Sequence, residues 1–304
     1  MNARAILVSL ILGLTISQTT AQTDITIGYV VAYEANLRAA NEACDRVNKE
    51  ISEVSCVFNS SHGDIATQIS MIENLVTQGV SGIVLEAVNA DALRSTLQNA
   101  ADAGIRIAVW SDTSVDQIAN LSEEVLTVVG LPAQTLASQL ADTAAQSIVD
   151  GRRFCLISFA GNWDDEISGL VSNQLEEKGF SSSNVCKQSV ENRQAFIEQL
   201  TLAIGQEDIS VVILPFEVVN DEFEELKQIA NNSNRSITFI SGWADPVEIS
   251  YVSTIQILKA IKGESVESQV AVPAIIQVSS DGYCSSCDCK KETRCKRECR
   301  KCRS

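Results

Sequence analysis

The chain has 304 residues, 45% of them hydrophobic, and a mean hydropathy of +0.07, which excludes a largely disordered chain and suffices for two domains with a core each. Its formal charge of −16 is unevenly spread: residues 281–304 carry a net +4 and Arg4 one more, leaving −21 on residues 22–280. So acidic a body repels phosphate backbones, which excludes nucleic acid as its partner.

Residues 1–21 hold one basic residue, Arg4, an apolar run over 5–16 and the small exit Thr19-Thr20-Ala21. Such a run is too short for a bilayer, which takes about twenty residues. The pattern predicts a cleavable secretory signal peptide. No Cys follows the small residues, which argues against a lipid anchor, and no later segment is apolar enough to insert in a membrane. The mature chain is expected to be secreted or periplasmic.

From residue 22 short β-branched runs alternate with amphipathic stretches, the signature of a parallel sheet covered by helices. A strand over 25–32 (ITIGYVVA) precedes a helix over 36–50, and 56–59 is the next strand. Asp64 caps a helix in which Ile65, Ile69, Ile72, Leu75 and Val76 recur at helical spacing, and Gly79 stops it. Strands over 82–85 and 106–110 flank a helix over 91–103. A second series opens with a strand over 125–129 and a helix begun by Pro132. Strands at 154–159, 185–189, 211–214 and 237–240 then alternate with helices at 166–178, 193–204 and 221–231. A last helix over 252–261 and an extended segment over 269–278 are expected to return to the first lobe.

The predicted fold class is α/β: two doubly wound parallel-sheet (Rossmann-like) lobes joined by a multi-strand hinge, plus a Cys-rich C-terminal tail. The expected divisions are 1–21 signal peptide, 22–112 and 250–280 N-terminal lobe, 113–249 C-terminal lobe and 281–304 tail. Hinges are expected near 113–124 and 243–250.

Export makes the ten cysteines informative, because oxidising compartments favour disulfides. Cys44 sits on the first helix and Cys56 opens the next strand. Cys155 and Cys186 begin consecutive strands, which usually neighbour each other. Bridges Cys44–Cys56 and Cys155–Cys186 are expected, one per lobe; the other reading is four buried thiols. In the tail, Cys284, Cys287, Cys289, Cys295, Cys299 and Cys302 have spacings that suit zinc as well as disulfides. The compartment favours disulfides of unknown pairing, and no metal is assigned. Asn-x-Ser sequons begin at Asn59, Asn120, Asn231 and Asn234.

In open α/β sheets ligands bind beyond the carboxyl ends of the strands. Tyr33 and Asn36 follow the first strand, Glu86 and Asn89 the third, and Trp110 and Asp112 the fourth. In the second lobe Trp163 and Asp164 follow one strand, Asn220 another, and Trp243 and Asp245 the last. These are the expected ligand groups, and they include all three tryptophans. An indole face beside carboxylates and amides suits a sugar, which stacks its C–H face while its hydroxyls are hydrogen-bonded. It also suits an amine cation. The bland alternative is that the Asp and Asn residues only cap helices.

No H-E-x-x-H, G-x-S-x-G, Walker A or G-x-G-x-x-G motif occurs. The single histidine, His62, reads as a surface loop residue, no nucleophile–base pair is legible, and no cofactor is implied. An enzyme is the least favoured class.

The stretches ITIGYVVAYEANLRAANEAC, QISMIENLVTQGVSGIVLEAVNADAL and AADAGIRIAVWSD, with CLISFAGNWDDEISG and ITFISGWADP, resemble the type I periplasmic binding proteins. This is the ribose- and galactose-binding family, akin to the sugar-binding domain of the LacI-related superfamily. The resemblance covers residues 23–280. It implies two lobes on a three-strand hinge that close on one small polar ligand, delivery to a membrane permease or chemoreceptor, and no chemistry. Sugar-binding relatives usually end the fourth strand in Asp-Arg where this chain has Trp110-Ser111-Asp112. They commonly carry an Arg where this one runs Asn162-Trp163-Asp164-Asp165-Glu166. Fewer cationic donors point away from anionic ligands. Relatives also place a further strand after the position of Trp243, where this chain is short. The expected function is a monomeric solute-binding protein for a small polar ligand, above all a monosaccharide, serving an ABC-type transporter or chemoreceptor. The alternatives are a binder of an amine or other cation, and an extracellular sensor or interaction module acting through the Cys-rich tail.

Overall fold

A computed structural model describes residues 25–51, 53–111, 125–149, 151–159, 162–190, 192–216, 218, 220–233 and 236–279. The expected signal peptide and Cys-rich tail lie outside the described residues.

The first series runs β1 (Thr26–Val31), α1 (Ala35–Glu50), β2 (Ser55–Ser60), α2 (Ile65–Gln78), β3 (Gly82–Glu86), α3 (Ala90–Asp102), β4 (Arg106–Ser111) and β5 (Thr127–Gly130). The second runs α4 (Ala133–Ser147), β6 (Arg153–Phe159), α5 (Asn162–Glu177), β7 (Ser182–Val190), α6 (Arg193–Gly205), β8 (Ile209–Leu214), α7 (Asn220–Asn232) and β9 (Thr238–Ala244). The chain continues through α8 (Pro246–Ile261), β10 (Gln269–Ala271) and β11 (Ala274–Val278).

Local chemistry sets the element ends. Asp64 accepts a hydrogen bond from the Thr67 N–H at 2.6 Å and opens α2. Gly79, at φ +67°, closes it in the left-handed conformation that glycine adopts without a Cβ penalty. Strands β3 and β8 are buried at every position, as central strands covered on both faces must be.

The strands form two sheets, ordered β10-β5-β4-β3-β1-β2 and β11-β9-β8-β6-β7, parallel throughout except for antiparallel β11. Helices α1 and α8 pack together on one face of the first sheet, with α2 and α3 on the other. In the second sheet α4 and α5 share one face and α6 and α7 the other. This is the two-lobed, doubly wound α/β architecture the alternation of runs predicts.

The lobe boundaries differ from expectation in two places. Strand β5 pairs with β4, from Ala108 opposite Thr127 to Ser111 opposite Gly130, so the first sheet extends to residue 130 and not to 112. Thr127, Val128 and Val129 are buried and need an interior position, which the edge of β4 supplies. The expected hinge over 113–124 lies outside the described residues, and both strands it joins belong to one sheet. The extended segment 269–278 divides at Pro273. Strand β10 pairs with β5 in the first sheet, whereas β11 pairs with β9 in the second. Pro273 lacks the N–H needed to continue a ladder and ends the first pairing.

The chain therefore crosses between the sheets three times: at Leu131–Pro132, between Ala244 and Pro246, and at Val272–Pro273. The third crossing is made after α8, where the short segment following Trp243 gave no sign of it. Three of the chain's four prolines stand at these crossings. Val129, Leu131, Ala133 and Val272 are buried there and join the α1–α8 side of the first lobe to the α4–α5 side of the second in one apolar core.

A disulfide joins Cys44 on α1 to Cys56 on β2, with Cα atoms 6.7 Å apart. Buried Cys155 on β6 is also disulfide-bonded. Cys186, its expected partner, lies on neighbouring β7, where Leu156 pairs with Lys187; the Cys186 side chain is outside the described residues.

Candidate functional site

The carboxyl edge of the first sheet gathers four of the expected ligand groups: Tyr33, Asn36, Glu86 and Asn89. Glu86 ends β3 and is 5% exposed. A buried carboxylate is tolerated only when it is hydrogen-bonded. Oε2 accepts from the Ala32 N–H at 2.8 Å, and Oε1 accepts from Asn36 Nδ2 at 2.9 Å. Both donors belong to the loop and first turn that join β1 to α1. Glu86 thus fastens that loop to the end of β3.

Gln68, fully buried on α2, secures the next connection. Its Nε2 donates to the Glu86 carbonyl at 2.8 Å and its Oε1 accepts from the Val88 N–H at 2.9 Å. The turn between β2 and α2 is held to the end of β1 by Ser61 N–H donating to the Val31 carbonyl and Gly63 N–H to the Ala32 carbonyl. Three strand–helix loops are therefore fixed to one another before any ligand arrives, which is the preorganisation a binding edge requires.

On this edge Tyr33 is 58% exposed, with its Cε1 beside Gly63, 3.6 Å from where a Cβ there would stand. Asn36 is half-buried. Asn89 caps α3, its Oδ1 accepting from the Ala92 N–H at 3.0 Å. Asp245 caps α8 in the same way, accepting from the Val247 N–H at 2.9 Å, and stands at the second crossing. For Asn89 and Asp245 the capping role is thus realised, with one polar atom of each side chain left over.

Trp110 does not offer the open ring that its position suggests. It is 4% exposed and belongs to the core of the first lobe with Ala108 and Val129, and its Nε1–H has no hydrogen-bond partner among the described residues. Alternation along β4 turns it to the α1–α8 face, where helix packing covers it. Trp243 is half-buried on β9, opposite Ile275 of β11. Trp163 and Asp164 begin α5 and Asn220 begins α7, with side chains outside the described residues, as Asp112 is altogether.

Sequence reasoning missed an aromatic cluster on the second lobe. Phe159 ends β6 and Phe216 follows β8, their ring centroids 4.8 Å apart, with Phe196 of α6 at 5.8 Å from each. Phe159 and Phe216 are half-buried at the carboxyl ends of their strands. The signal was present, since each directly precedes a loop chosen for its polar residues. Gln68 carried no such signal, because a glutamine within an amphipathic helix reads as surface. Among the described residues no three His, Cys, Asp or Glu side chains are grouped to hold a metal ion.

The two-lobed α/β fold agrees with what comparison finds. A family model for the periplasmic binding protein domain matches residues 27–215, more than half of the chain. The chain belongs to this family. It is 29% identical over 87 residues to the multiple sugar-binding periplasmic receptor ChvE of Rhizobium radiobacter, a stretch covering 28% of this chain and 24% of that protein. It is 35% identical over 54 residues to a xylitol-binding protein of Mycolicibacterium smegmatis, covering 18% and 16% of the two chains. The matched segments thus span less than a quarter of either relative's length. In structure it resembles an ABC transporter solute binding protein from Bacillus halodurans C-125 with bound myo-inositol, at a TM-score of 0.65 and 15% identity, over 84% of this chain and 95% of that one. That likeness concerns the fold, and it extends the periplasmic binding protein architecture beyond residue 215 to both lobes.

Proposed function

We propose that this periplasmic binding protein captures a small neutral, polyhydroxylated ligand, a monosaccharide or sugar alcohol, between its lobes and hands it to an ABC-type permease or a chemoreceptor. The observation that carries the reading is the state of the first lobe's edge. The Glu86 carboxylate is enclosed and hydrogen-bonded within the protein, whereas exposed Tyr33 and half-buried Asn36 are left to meet a ligand. An aromatic face beside an amide suits a sugar ring better than a charged group. The half-buried Phe159 and Phe216 offer a second aromatic face at the corresponding edge of the other lobe. The names of the similar proteins, which bind sugars, xylitol and myo-inositol, point the same way.

Capture and release complete the function in this reading, with no bond made or broken. A ligand that touches both lobes favours the closed arrangement by its contacts to each. Export is supported by the signal-peptide pattern of residues 1–21 and by the disulfides at Cys44–Cys56 and Cys155, which oxidising compartments sustain. Among the described residues no helix is long and apolar enough to cross a membrane.

The test is a thermal-shift and tryptophan-fluorescence screen of pentoses, hexoses, polyols and amines. A neutral sugar or polyol is expected to raise the melting temperature. Stabilisation by amines alone, weakening with salt, would replace this reading with a cation binder.

A further inference from the structure

We propose that Glu86 is a positioning residue that sets the polarity of Asn36, so that the first lobe meets its ligand with a neutral hydrogen-bond acceptor and selects a hydroxyl that donates to it. The proposal rests on the function inferred above and names the group that makes the site neutral.

A carboxylate accepts hydrogen bonds and does not donate them. The 2.9 Å contact between Asn36 Nδ2 and Glu86 Oε1 therefore assigns the amide: the nitrogen faces Glu86, and Oδ1 is the open end. Among the described residues Oδ1 accepts no hydrogen bond. Glu86 Oε2 simultaneously holds the Ala32 N–H, so the carboxylate grips the chain on both sides of exposed Tyr33. Rotating the amide by half a turn would set Oδ1 against Oε1, two acceptors facing each other beside a buried charge. That cost fixes the orientation.

What the lobe presents follows from this. A hydroxyl can donate to Asn36 Oδ1, whereas an ether oxygen or a carboxylate of the ligand cannot. An ammonium could also donate, yet the negative charge that would favour it lies beneath the surface and is already hydrogen-bonded. Asp245, the other described carboxylate among the expected ligand groups, has one oxygen engaged as the cap of α8.

Two measurements test the proposal. The first needs no ligand. In protein labelled with 15N at asparagine side chains, the two Asn36 amide protons are expected to resolve well apart and to exchange slowly with solvent. In Glu86→Gln they are expected to converge toward free-amide positions and exchange faster. Asn36 signals unchanged by Glu86→Gln overturn the proposal.

The second uses calorimetry with D-glucose, D-galactose, D-xylose, D-arabinose, xylitol and myo-inositol, and with the monodeoxy derivatives of the tightest binder. Asn36→Ala and Glu86→Gln are each expected to weaken that ligand about tenfold, the worth of one hydrogen bond. The double variant should be no more than about twofold worse than Asn36→Ala, because one residue acts through the other. One deoxy position should lose affinity in the wild type and lose nothing further in either variant, which a merely structural role for Glu86 would not produce. Losses that multiply in the double variant, or a deoxy penalty that survives Glu86→Gln, overturn the proposal. If none of the six compounds binds the wild type, the reading of the function falls, and the Asn36 signals still decide whether Glu86 orients the amide.

Discussion

Glu86 and Trp110 stand directly opposite each other on the adjacent parallel strands β3 and β4, a carboxylate beside an indole, both closed to solvent. The carboxylate is hydrogen-bonded, and among the described residues the indole N–H has no partner. A buried, unpartnered donor costs about 1–3 kcal/mol. Replacing Trp110 by Phe removes that donor and gives up some ring area, so stability should change by no more than about 1 kcal/mol in urea unfolding. Trp110→Ala should cost about 3–5 kcal/mol, as large core truncations do. If Trp110→Phe instead left stability alone and abolished ligand binding, the ring would be a ligand platform after all.

The disulfide between Cys44 and Cys56 closes a short loop, with a sequence separation of 12, and ties α1 to the edge strand β2. Restricting the unfolded chain over such a loop is worth about 3 kcal/mol in the loop-entropy view. The Cys44→Ala/Cys56→Ala variant should lose about 2–4 kcal/mol. Reductant should destabilise the wild type more than this variant. Equal unfolding curves with and without reductant would count against the bridge.

Tyr29 carries a pH dependence. It is buried on β1 with its hydroxyl 2.7 Å from Thr254 Oγ1 of α8. Burial pushes its pKa up to about 12, and the Thr254 hydrogen bond offsets part of that rise. A folded pKa above the unfolded value means that the stabilisation is fully present below pH about 10 and is lost as pH climbs through about 12. The shift corresponds to an alkaline loss on the order of 2–3 kcal/mol. Tyr29→Phe should flatten this part of the pH–stability curve while costing about 1 kcal/mol at neutral pH. A Phe variant that loses stability as steeply as the wild type between pH 10 and 12 would show that another group is responsible.

Arg46 clamps α1 to α8. Its guanidinium lies 3.6 Å from the Tyr251 ring centroid, donates to Glu248 at 2.6 Å and to Glu50 at 3.3 Å, and Tyr251 in turn donates to Glu50 at 3.2 Å. Each contact is partly exposed and individually modest, so Arg46→Ala should cost about 1–2 kcal/mol in all. Lysine should recover less than half of that, since it lacks the planar fork that stacks and pairs at once. Full recovery by Arg46→Lys would reduce the clamp to simple charge attraction.

The sequence made the lobes legible and the crossings only partly so. Buried parallel strands are continuous apolar runs, and Asp64 and Gly79 mark a helix's ends by chemistry confined to a few residues. Pairing partners are not local. That β5 joins β4, and that 269–278 is shared between two sheets, depends on which edges remain free once the other strands have paired. Pro273 was the one local sign of that division. At the site, residues at strand ends could be chosen from sequence but not their direction. Trp110 and Glu86 both face the helices because the register of β3 and β4 puts them there, and no pattern within either strand distinguishes a ring that lines a ligand from one that lines the core. The fixed loops depend on Gln68, whose buried amide becomes informative only when α2 is seen against the end of β3.

The prolines at the three straps between the halves bear on how such a molecule can flex. Pro132 sits at φ −59°, an angle its pyrrolidine ring holds, and the first and third straps are joined by the Val272 N–H donating to the Gly130 carbonyl at 2.9 Å. The preceding residues, Leu131, Asp245 and Val272, are themselves pressed toward extended geometry. Each strap therefore gives up one backbone rotation at its proline and part of another just before it. In the proposed capture, a ligand would draw the halves together against straps that are each stiffened at the same place, beside the proline.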